Sequence, residues 1–206
     1  MRKTTLILLT LLIGLPSLTR AEQPLKILEK NVDATIRILQ NPRYRSIAQK
    51  GVQQQKLWDV ARQVFDFSEI SMQTLGPHRK DFSAREKKEF TEVFSEFLAK
   101  YYLRRLQEKY RDEKVIFLGQ EFSTDSRASV NVKVLWNNLE IPVEIRMIKR
   151  GNTWKAYDVI VIGVSAVMNY RAQFMALLLE KTPAQIIELV KNRAEQEAEQ
   201  EKKNNQ

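Results

Sequence analysis

The spacing of apolar residues changes along this chain from a helical period to a strand period and back again. Residues 24–109 repeat apolar positions every three or four residues, residues 114–162 alternate apolar with polar residues, and residues 164–190 return to the first pattern. A period of about 3.6 is typical of amphipathic helices, and a period of about 2 is typical of half-buried strands. The order of these patterns predicts helices, then a sheet, then helices, in a single α+β domain.

The clearest helical signal follows Ser83. Ser83 and Glu86 have the spacing of a capping box, in which the two side chains satisfy free backbone N–H groups of the first turn. An apolar stripe then extends the predicted helix to about Lys109. Further helices are predicted over residues 24–40, 43–65, 70–75 and 164–179 and from residue 183 onward, which makes about six or seven in all. The polar segment 193–206 is expected to be a frayed helical tail.

Four consecutive strands are predicted between these helices. Two of them alternate clearly and are joined at Asn137-Asn138, a pair that suits a tight hairpin turn. Residues 114–122 and 154–162 supply the other two strands. Consecutive strands with one apolar side favour an antiparallel sheet that packs one face against a core.

The first 21 residues have the features of a secretory signal peptide. Arg2 and Lys3 precede an apolar run from Leu6 to Leu15, and Thr19-Arg20-Ala21 places small residues at the positions that signal peptidase reads. We expect cleavage after Ala21. An uncleaved anchor is the weaker alternative, because the run is shorter than the roughly 20 residues of a membrane span. Cleavage would leave an exported, soluble domain over residues 22–192 with no lipid anchor.

The composition excludes several classes of enzyme and cofactor-binding protein. The 206 residues contain no Cys and one His, so the chain has no disulfide, no thiol nucleophile and no histidine pair for a metal. The six glycines are isolated from one another, which excludes the glycine-rich loops that hold nucleotides. We therefore predict no catalytic residues, no metal and no cofactor.

The charge of the chain indicates which partners are plausible. The net charge of +9 falls to +6 when the three basic residues of the signal peptide are removed. This moderate excess favours anionic lipid or acidic partners over nucleic acid. The aromatic residues occupy predicted core positions and are not interleaved with the basic ones, so we expect no nucleic-acid-binding surface.

Asp158 stands out because it interrupts an otherwise apolar strand. It is either a general base or one half of a structural ion pair, with Arg171 or Arg146 as its partner, and the pattern favours the ion pair. Ser165 lacks the second glycine of a nucleophile elbow and is expected to cap the next helix. His78 follows Gly76-Pro77 and is expected to lie in an exposed loop.

Two segments carry more specific motifs. The first is Phe65-Asp66-Phe67-Ser68-Glu69-Ile70-Ser71 with Leu75-Gly76, and the second is Trp154-Lys155-Ala156-Tyr157-Asp158-Val159 followed by Gly163-Val164-Ser165, Asn169-Tyr170-Arg171 and Phe174. Together they resemble the signatures of the MlaC family, the toluene-tolerance or "maintenance of lipid asymmetry" family of periplasmic phospholipid carriers. The likeness extends from about Phe65 to Leu189. The chain departs from the family pattern at Pro77-His78-Arg79-Lys80 and at Ala166.

The resemblance implies a fold and a function. The fold would be cystatin-like or nuclear-transport-factor-like, with a four-stranded antiparallel sheet wrapped by helices around an apolar cavity. The protein would be a monomeric periplasmic carrier, with phospholipid as its cargo. It would exchange lipid with an inner-membrane ABC transporter that has an MCE ring and with an outer-membrane lipoprotein and porin complex.

Alternation and the helical stripe predict which residues hold the acyl tails in such a fold. The sheet would contribute Val130, Val132, Val134, Val143, Ile145 and Met147. The long helix would contribute Phe94, Leu98, Tyr101 and Tyr102, and the segment after the last strand would contribute Val164, Val167, Tyr170 and Phe174. The opposite strand parity stays open. Asp158 and Arg171 are expected to hold the last strand against the following helix.

Two other functions stay open at this point. One is a small exported enzyme that uses Asp158 as its general base. The other is a basic protein-interaction module with a solid core, because periodicity does not distinguish a filled core from a hollow one.

Overall fold

The computed structural model describes residues 23–204, with side chains as far as residue 200. The elements are α1 Pro24–Gln40, α2 Ile47–Val64, α3 Phe67–Leu75, α4 Ala84–Lys109, β1 Lys114–Thr124, β2 Arg127–Trp136, β3 Leu139–Arg150, β4 Thr153–Val161, β5 Val164–Ser165, α5 Ala166–Leu178 and α6 Pro183–Asn204. Short 3₁₀ turns precede α2 and α4. The predicted α+β class is confirmed. The predicted signal peptide lies outside the described residues.

Local sequence explains where these elements begin. The Ser83 side chain accepts a hydrogen bond from Glu86 N, and the Glu86 carboxylate accepts one from Ser83 N, which is the predicted capping box. The second helix starts at Ile47 instead of the predicted residue 43, since Pro42–Tyr44 form a 3₁₀ turn. Within residues 23–204, no helix combines the length and the hydropathy that crossing a membrane requires.

The sheet is an antiparallel meander with the strand order β1-β2-β3-β4-β5. Asn137 and Asn138 have φ values of 48° and 64°, as expected for the tight β2–β3 turn. The four long strands were predicted, but the two-residue β5 was not. Ile162 and Gly163 adopt φ values of 50° and 76° and turn the chain back onto β4. The predicted helix therefore begins at Ala166 and not at Val164.

One face of the sheet, called the apolar face below, is partly covered by α1. Ile27 and Leu28 pack there against buried residues of the central strands. The helix is held alongside β1 at both of its ends: Leu25 N donates to Gln120 Oε1 at 2.8 Å, and Gln40 Nε2 donates to Asp112 Oδ1 at 3.2 Å. Because Gln120 follows Asp112 along the chain, α1 runs antiparallel to β1.

A second core lies among α3, α4, α5 and α6. Its centre is a group of aromatic rings, in which Phe90, Phe94 and Phe174 are each at most 2% exposed. Residues 193–200 contribute to this assembly instead of forming the predicted frayed tail. They continue α6 without a break, Ala194 is buried in the same core, and Glu197 forms ion pairs with α4.

Candidate functional site

Asp158 is buried at the junction of β4 with α5. Its Oδ2 atom accepts a hydrogen bond from Ser165 Oγ at 2.6 Å, and its Oδ1 atom accepts bonds from Val167 N at 3.0 Å and Val159 N at 2.9 Å. Ser165 Oγ also accepts a bond from Met168 N, so the predicted cap of α5 is confirmed. Both carboxylate oxygens therefore serve to anchor the first turn of the helix.

The predicted ion pair between Asp158 and Arg171 is wrong. The arginine that approaches the carboxylate is Arg146 on the neighbouring strand β3, whose Nη1 atom lies 3.9 Å from Oδ2. Arg146 is the cross-strand partner of Asp158, so the register brings the two together. Arg171 points the other way and donates from Nε to the carbonyl oxygen of Gln73 at 2.6 Å. It thereby holds α5 against the end of α3.

The predicted strand residues all lie on the apolar face, but they have two different environments. Val130, Val132, Ile145 and Met147 are buried, and α1 covers their part of the sheet. Val134 and Val143 are half-buried and keep solvent-accessible surface. The difference arises because the closely packed contact of α1 with the sheet is made by the first part of the helix, around Ile27 and Leu28.

The accessible part of the apolar face continues onto α1. In the sheet, Val115, Val134 and Ile141 are lateral neighbours, and Val143 pairs with Val161 in the next row. On α1, the stripe that begins with buried Leu28 continues through Val32, Ile36 and Leu39, which are half-buried. We call these accessible apolar residues of the sheet end and of α1 the apolar groove. Its α1 residues were not predicted as site residues. Their regular spacing in the sequence indicated a helix, but it did not indicate which residues would stay accessible.

The exposed edge of the apolar groove is itself apolar. Trp136 and Leu139 flank the β2–β3 turn and are 42% and 57% exposed, and Ile162 in the β4–β5 turn and Val164 directly after it are 68% and 60% exposed. Isolated exposed apolar residues are ordinary on protein surfaces, whereas a cluster at one end of a sheet marks a site of interaction. Val164, which was predicted to close one end of a tail-binding region, lies at this edge.

The residues of α4 and α5 that were predicted to hold the acyl tails lie in two places, the helical core and a separate cleft. Phe94, Val167 and Phe174 are buried in the helical core, and Leu98 packs against it. The remaining three, Tyr101, Tyr102 and Tyr170, line a separate cleft.

This separate cleft lies between α4, α5 and α6 and has a volume of about 400 Å³; we call it the α4–α6 cleft. Its aromatic side is formed by Phe97, Tyr101, Tyr102 and Tyr170. Its polar side is formed by side chains of α5 and α6, including Asn169, Gln173, Arg193, Gln196 and Gln200. The α6 residues were missed from the sequence because a polar, low-complexity segment was interpreted as a tail.

Charged residues hold the wall of the α4–α6 cleft in place. Glu197 forms ion pairs with Arg104 and Arg105, and the guanidinium carbon of Arg105 lies 3.3 Å from the ring centroid of Tyr101. Burial alone would lower the pKa of Arg104, but its hydrogen bond to Glu197 and the charges of Glu108 and Glu197 outweigh burial and raise the pKa. The side chains of Arg104 and Glu197 are 10% and 14% exposed, so their pair is less screened by water than a fully exposed pair would be, whereas Arg105 is 34% exposed.

The face of the sheet opposite the apolar groove is polar and ion-paired. Arg150 donates to Asp66 Oδ2 at 2.6 Å and to Glu69 Oε2 at 2.8 Å, and Arg127 approaches Glu69 Oε1 at 3.4 Å. These bonds fix α3 on that face. The two faces thus differ: this one carries the ion pairs with α3, and the other carries the apolar groove.

The fold and this surface define a class of protein: a small α+β domain that presents an accessible apolar surface beside a well-packed core. The family model described as "MlaC protein" matches residues 29–192 of the chain. Because the match covers most of the sequence, the chain belongs to the MlaC family.

Comparison with solved structures supports the same fold. The structure of a phospholipid-binding protein from Ralstonia solanacearum, in complex with a phospholipid, superposes with a TM-score of 0.73 at 20% sequence identity. The superposition covers 86% of this chain and 99% of the other. At that identity the likeness is one of fold. No curated protein matches the sequence.

Proposed function

We propose that this protein is a periplasmic phospholipid carrier that holds acyl tails in the apolar groove and leaves the head group in water. Val134 and Val143 contact the tails, together with the accessible residues of α1. The buried residues Val130, Val132, Ile145 and Met147 support the groove from within.

The observation that carries the proposal is the accessible apolar groove itself. Apolar surface that stays in contact with water costs free energy, and a few more side chains over this face would stabilise the fold. An accessible apolar face of this kind is therefore expected where an apolar ligand covers it. Membership of the MlaC family and the phospholipid bound to the fold relative from Ralstonia solanacearum both support lipid as the ligand.

The energetics explain why a carrier is needed. At about 0.8 kcal/mol per buried methylene, two acyl chains with roughly 30 methylenes lose some 20 kcal/mol or more when they enter water. A protein that shelters the tails removes most of this barrier. Because the contacts are non-directional, lipid can be released when the carrier docks on a membrane complex.

The expected partners follow from the same proposal. The carrier exchanges lipid with an inner-membrane ABC transporter that has an MCE ring and with an outer-membrane lipoprotein and porin complex. It acts without covalent chemistry, and the anchoring role of Asp158 at α5 supports this over an enzyme with Asp158 as its base.

Native mass spectrometry tests the proposal most directly. The full chain is expressed in a Gram-negative host, the exported protein is purified without detergent, and bound lipid is identified after organic extraction. We expect about one phospholipid per protein, as is typical of a single-site carrier. A lipid-free protein that also takes up no lipid from phospholipid vesicles would refute the carrier and favour the interaction module with a solid core.

A further inference from the structure

The α4–α6 cleft is distinct from the apolar groove in composition and in location. Its lining is mainly polar, and one wall is built by residues 193–200 of α6. This wall lies beyond the family match, which ends at residue 192. The remaining lining residues, on α4 and α5, lie within the matched part of the chain.

The aromatic side of the cleft has a geometry that selects the shape of a ligand. The rings of Tyr101 and Tyr102 are 4.9 Å apart at 76°, and those of Phe97 and Tyr170 are 6.2 Å apart at 89°. A planar ligand such as a nucleobase stacks best in a slot between nearly parallel rings. These nearly perpendicular pairs form a corner instead, which suits a puckered ring that presents C–H groups to an aromatic face.

The polar side of the cleft offers both hydrogen-bond donors and hydrogen-bond acceptors. Each of its amide side chains carries both kinds of group. Gln173 Nε2 donates to Asn169 Oδ1 at 2.9 Å, and this bond leaves the Asn169 nitrogen and the Gln173 oxygen for a ligand. Gln196 and Arg193 face them from α6. Adjacent hydroxyl groups, each both donor and acceptor, match such a lining better than an acyl chain or a simple anion does.

The tyrosine hydroxyls add to this set. Those of Tyr102 and Tyr170 lie 3.3 Å apart, and burial raises the pKa of Tyr170, so its hydroxyl remains a donor at any physiological pH. The wall opposite is held by the ion pairs of Glu197 with Arg104 and Arg105. The cleft is thus preorganised, and its volume of about 400 Å³ lies within the range of small-molecule sites.

We propose that the α4–α6 cleft binds one ring of a neutral saccharide, whose C–H face lies against the tyrosine rings and whose hydroxyl groups bond to the amides of α5 and α6. The saccharide is either free or the head group of a glycolipid. The site is separate from the phospholipid-binding groove, so its occupation does not depend on bound phospholipid.

Two-dimensional ¹H–¹⁵N NMR of the full exported protein tests this site with maltose, cellobiose and N,N′-diacetylchitobiose as probes, and with adenosine as a planar comparison. We expect shifts confined to the backbone amides of residues 97–102, 166–173 and 193–200 for at least one saccharide, with a Kd of about 1 mM. Saturation of the tyrosine ring protons should transfer to C–H protons of the bound sugar. Glycolipid in mixed micelles, compared with the free sugar, distinguishes the two sources.

Two substitutions connect the signal to the cleft. Gln173→Leu and Gln196→Leu each remove an exposed amide and should weaken saccharide binding about tenfold, since each loses one or two hydrogen bonds. Asn192→Leu, an exposed amide on the same helix outside the cleft, should bind as the wild type does. All three should retain bound phospholipid, so failure of this proposal is distinguishable from failure of the carrier.

Two outcomes would overturn the assignment. One is the absence of any localised shift with all three sugars at about 10 mM, well above the Kd expected for such a site. The other is a stronger and localised response to adenosine, which would assign the cleft to a planar ligand.

Discussion

Ser165 Oγ donates a hydrogen bond to Asp158 Oδ2 at 2.6 Å and accepts one from Met168 N at 3.0 Å. One hydroxyl therefore joins the end of the last long strand to the first turn of α5. Asp158 reinforces the joint by accepting a bond from Val167 N. Because α5 contributes Phe174 to the helical core, this small group of atoms is one of the connections between the sheet and that core.

Asp158→Asn should lower the free energy of unfolding by about 2–3 kcal/mol, because an amide replaces a charged acceptor that serves buried donors. Urea denaturation followed by circular dichroism measures the loss. Double-mutant cycles test the partner. Asp158→Asn combined with Arg146→Met should be non-additive, whereas its combination with Arg171→Met should be additive. Coupling to Arg171 alone would contradict the structure.

Gly76→Ala should destabilise the protein by about 2 kcal/mol. Gly76 has a φ of +55°, and a methyl group there would meet Arg171 Cδ and Nε at 3.3 Å. Gly51→Ala is the matched control: Gly51 lies inside α2 with nothing within 4 Å, so alanine should stabilise the fold by about 0.5–1 kcal/mol. Thermal unfolding of both variants measures the two opposite effects. Equal effects would show that the positive φ and the Arg171 contact at Gly76 do not disfavour alanine.

Glu197→Gln should cost about 1–3 kcal/mol of stability, because it leaves Arg104 buried with a weaker partner. Guanidinium denaturation of this variant, beside Glu199→Gln as an exposed control on the same helix, measures the difference. A segment that behaved as a frayed tail would show no loss for either variant.

Val143→Glu should abolish phospholipid co-purification while the helical circular dichroism is retained. A carboxylate placed in the apolar groove would have to lose its hydration on contact with an acyl chain, which costs several kcal/mol. Ile116→Glu applies the same change on the opposite face of the sheet, where Ile116 is 42% exposed and pairs with Lys133. Native mass spectrometry should find wild-type lipid content in that control. Full lipid occupancy in Val143→Glu would show that the tails bind elsewhere.

Glu69 should make stability depend on pH in the acid range. Burial alone would raise the pKa of Glu69, but hydrogen bonds from Gln73, Arg150 and Arg127 outweigh it and lower the pKa below its ordinary value of 4.5. The stabilisation is therefore complete above pH 4.5 and is lost as the pH falls through the lower folded-state pKa. Unfolding free energies measured from pH 7 to pH 3 should fall less steeply in Glu69→Gln. An unchanged slope would mean that these bonds do not favour the ionised form.

Most of the fold could be predicted from local patterns. The capping box at Ser83, the Asn137-Asn138 turn and the change of period each depend on residues close together in the chain, and each was found where it was expected. The two-residue strand β5 was missed, since a pairing of that length has no periodicity to detect. The motifs after Trp154 identified the family, because they combine a strand, a turn and a helix at exact spacing.

The candidate site was predictable only in part. Alternation assigned Val130 and Val143 to one face correctly, but it could not show that α1 buries the first and leaves the second accessible. In the same way, Phe94 and Tyr101 share one helical stripe, yet one lies in the core and the other lines a cleft. Strand register places Arg146, and not Arg171, next to Asp158. The sequence did not distinguish the two arginines, because they carry the same charge and the register was not known.

The sequence by itself determined the order of helices and strands, the ends of most of them and the face of each that is apolar. These features follow from backbone hydrogen bonding and side-chain spacing within a few residues. Tertiary structure decided what covers each apolar face, which charges meet and where a cleft remains. Those outcomes depend on how elements that are distant in the chain pack together. The free energy of packing depends on how well two surfaces fit each other, and neither surface determines it alone.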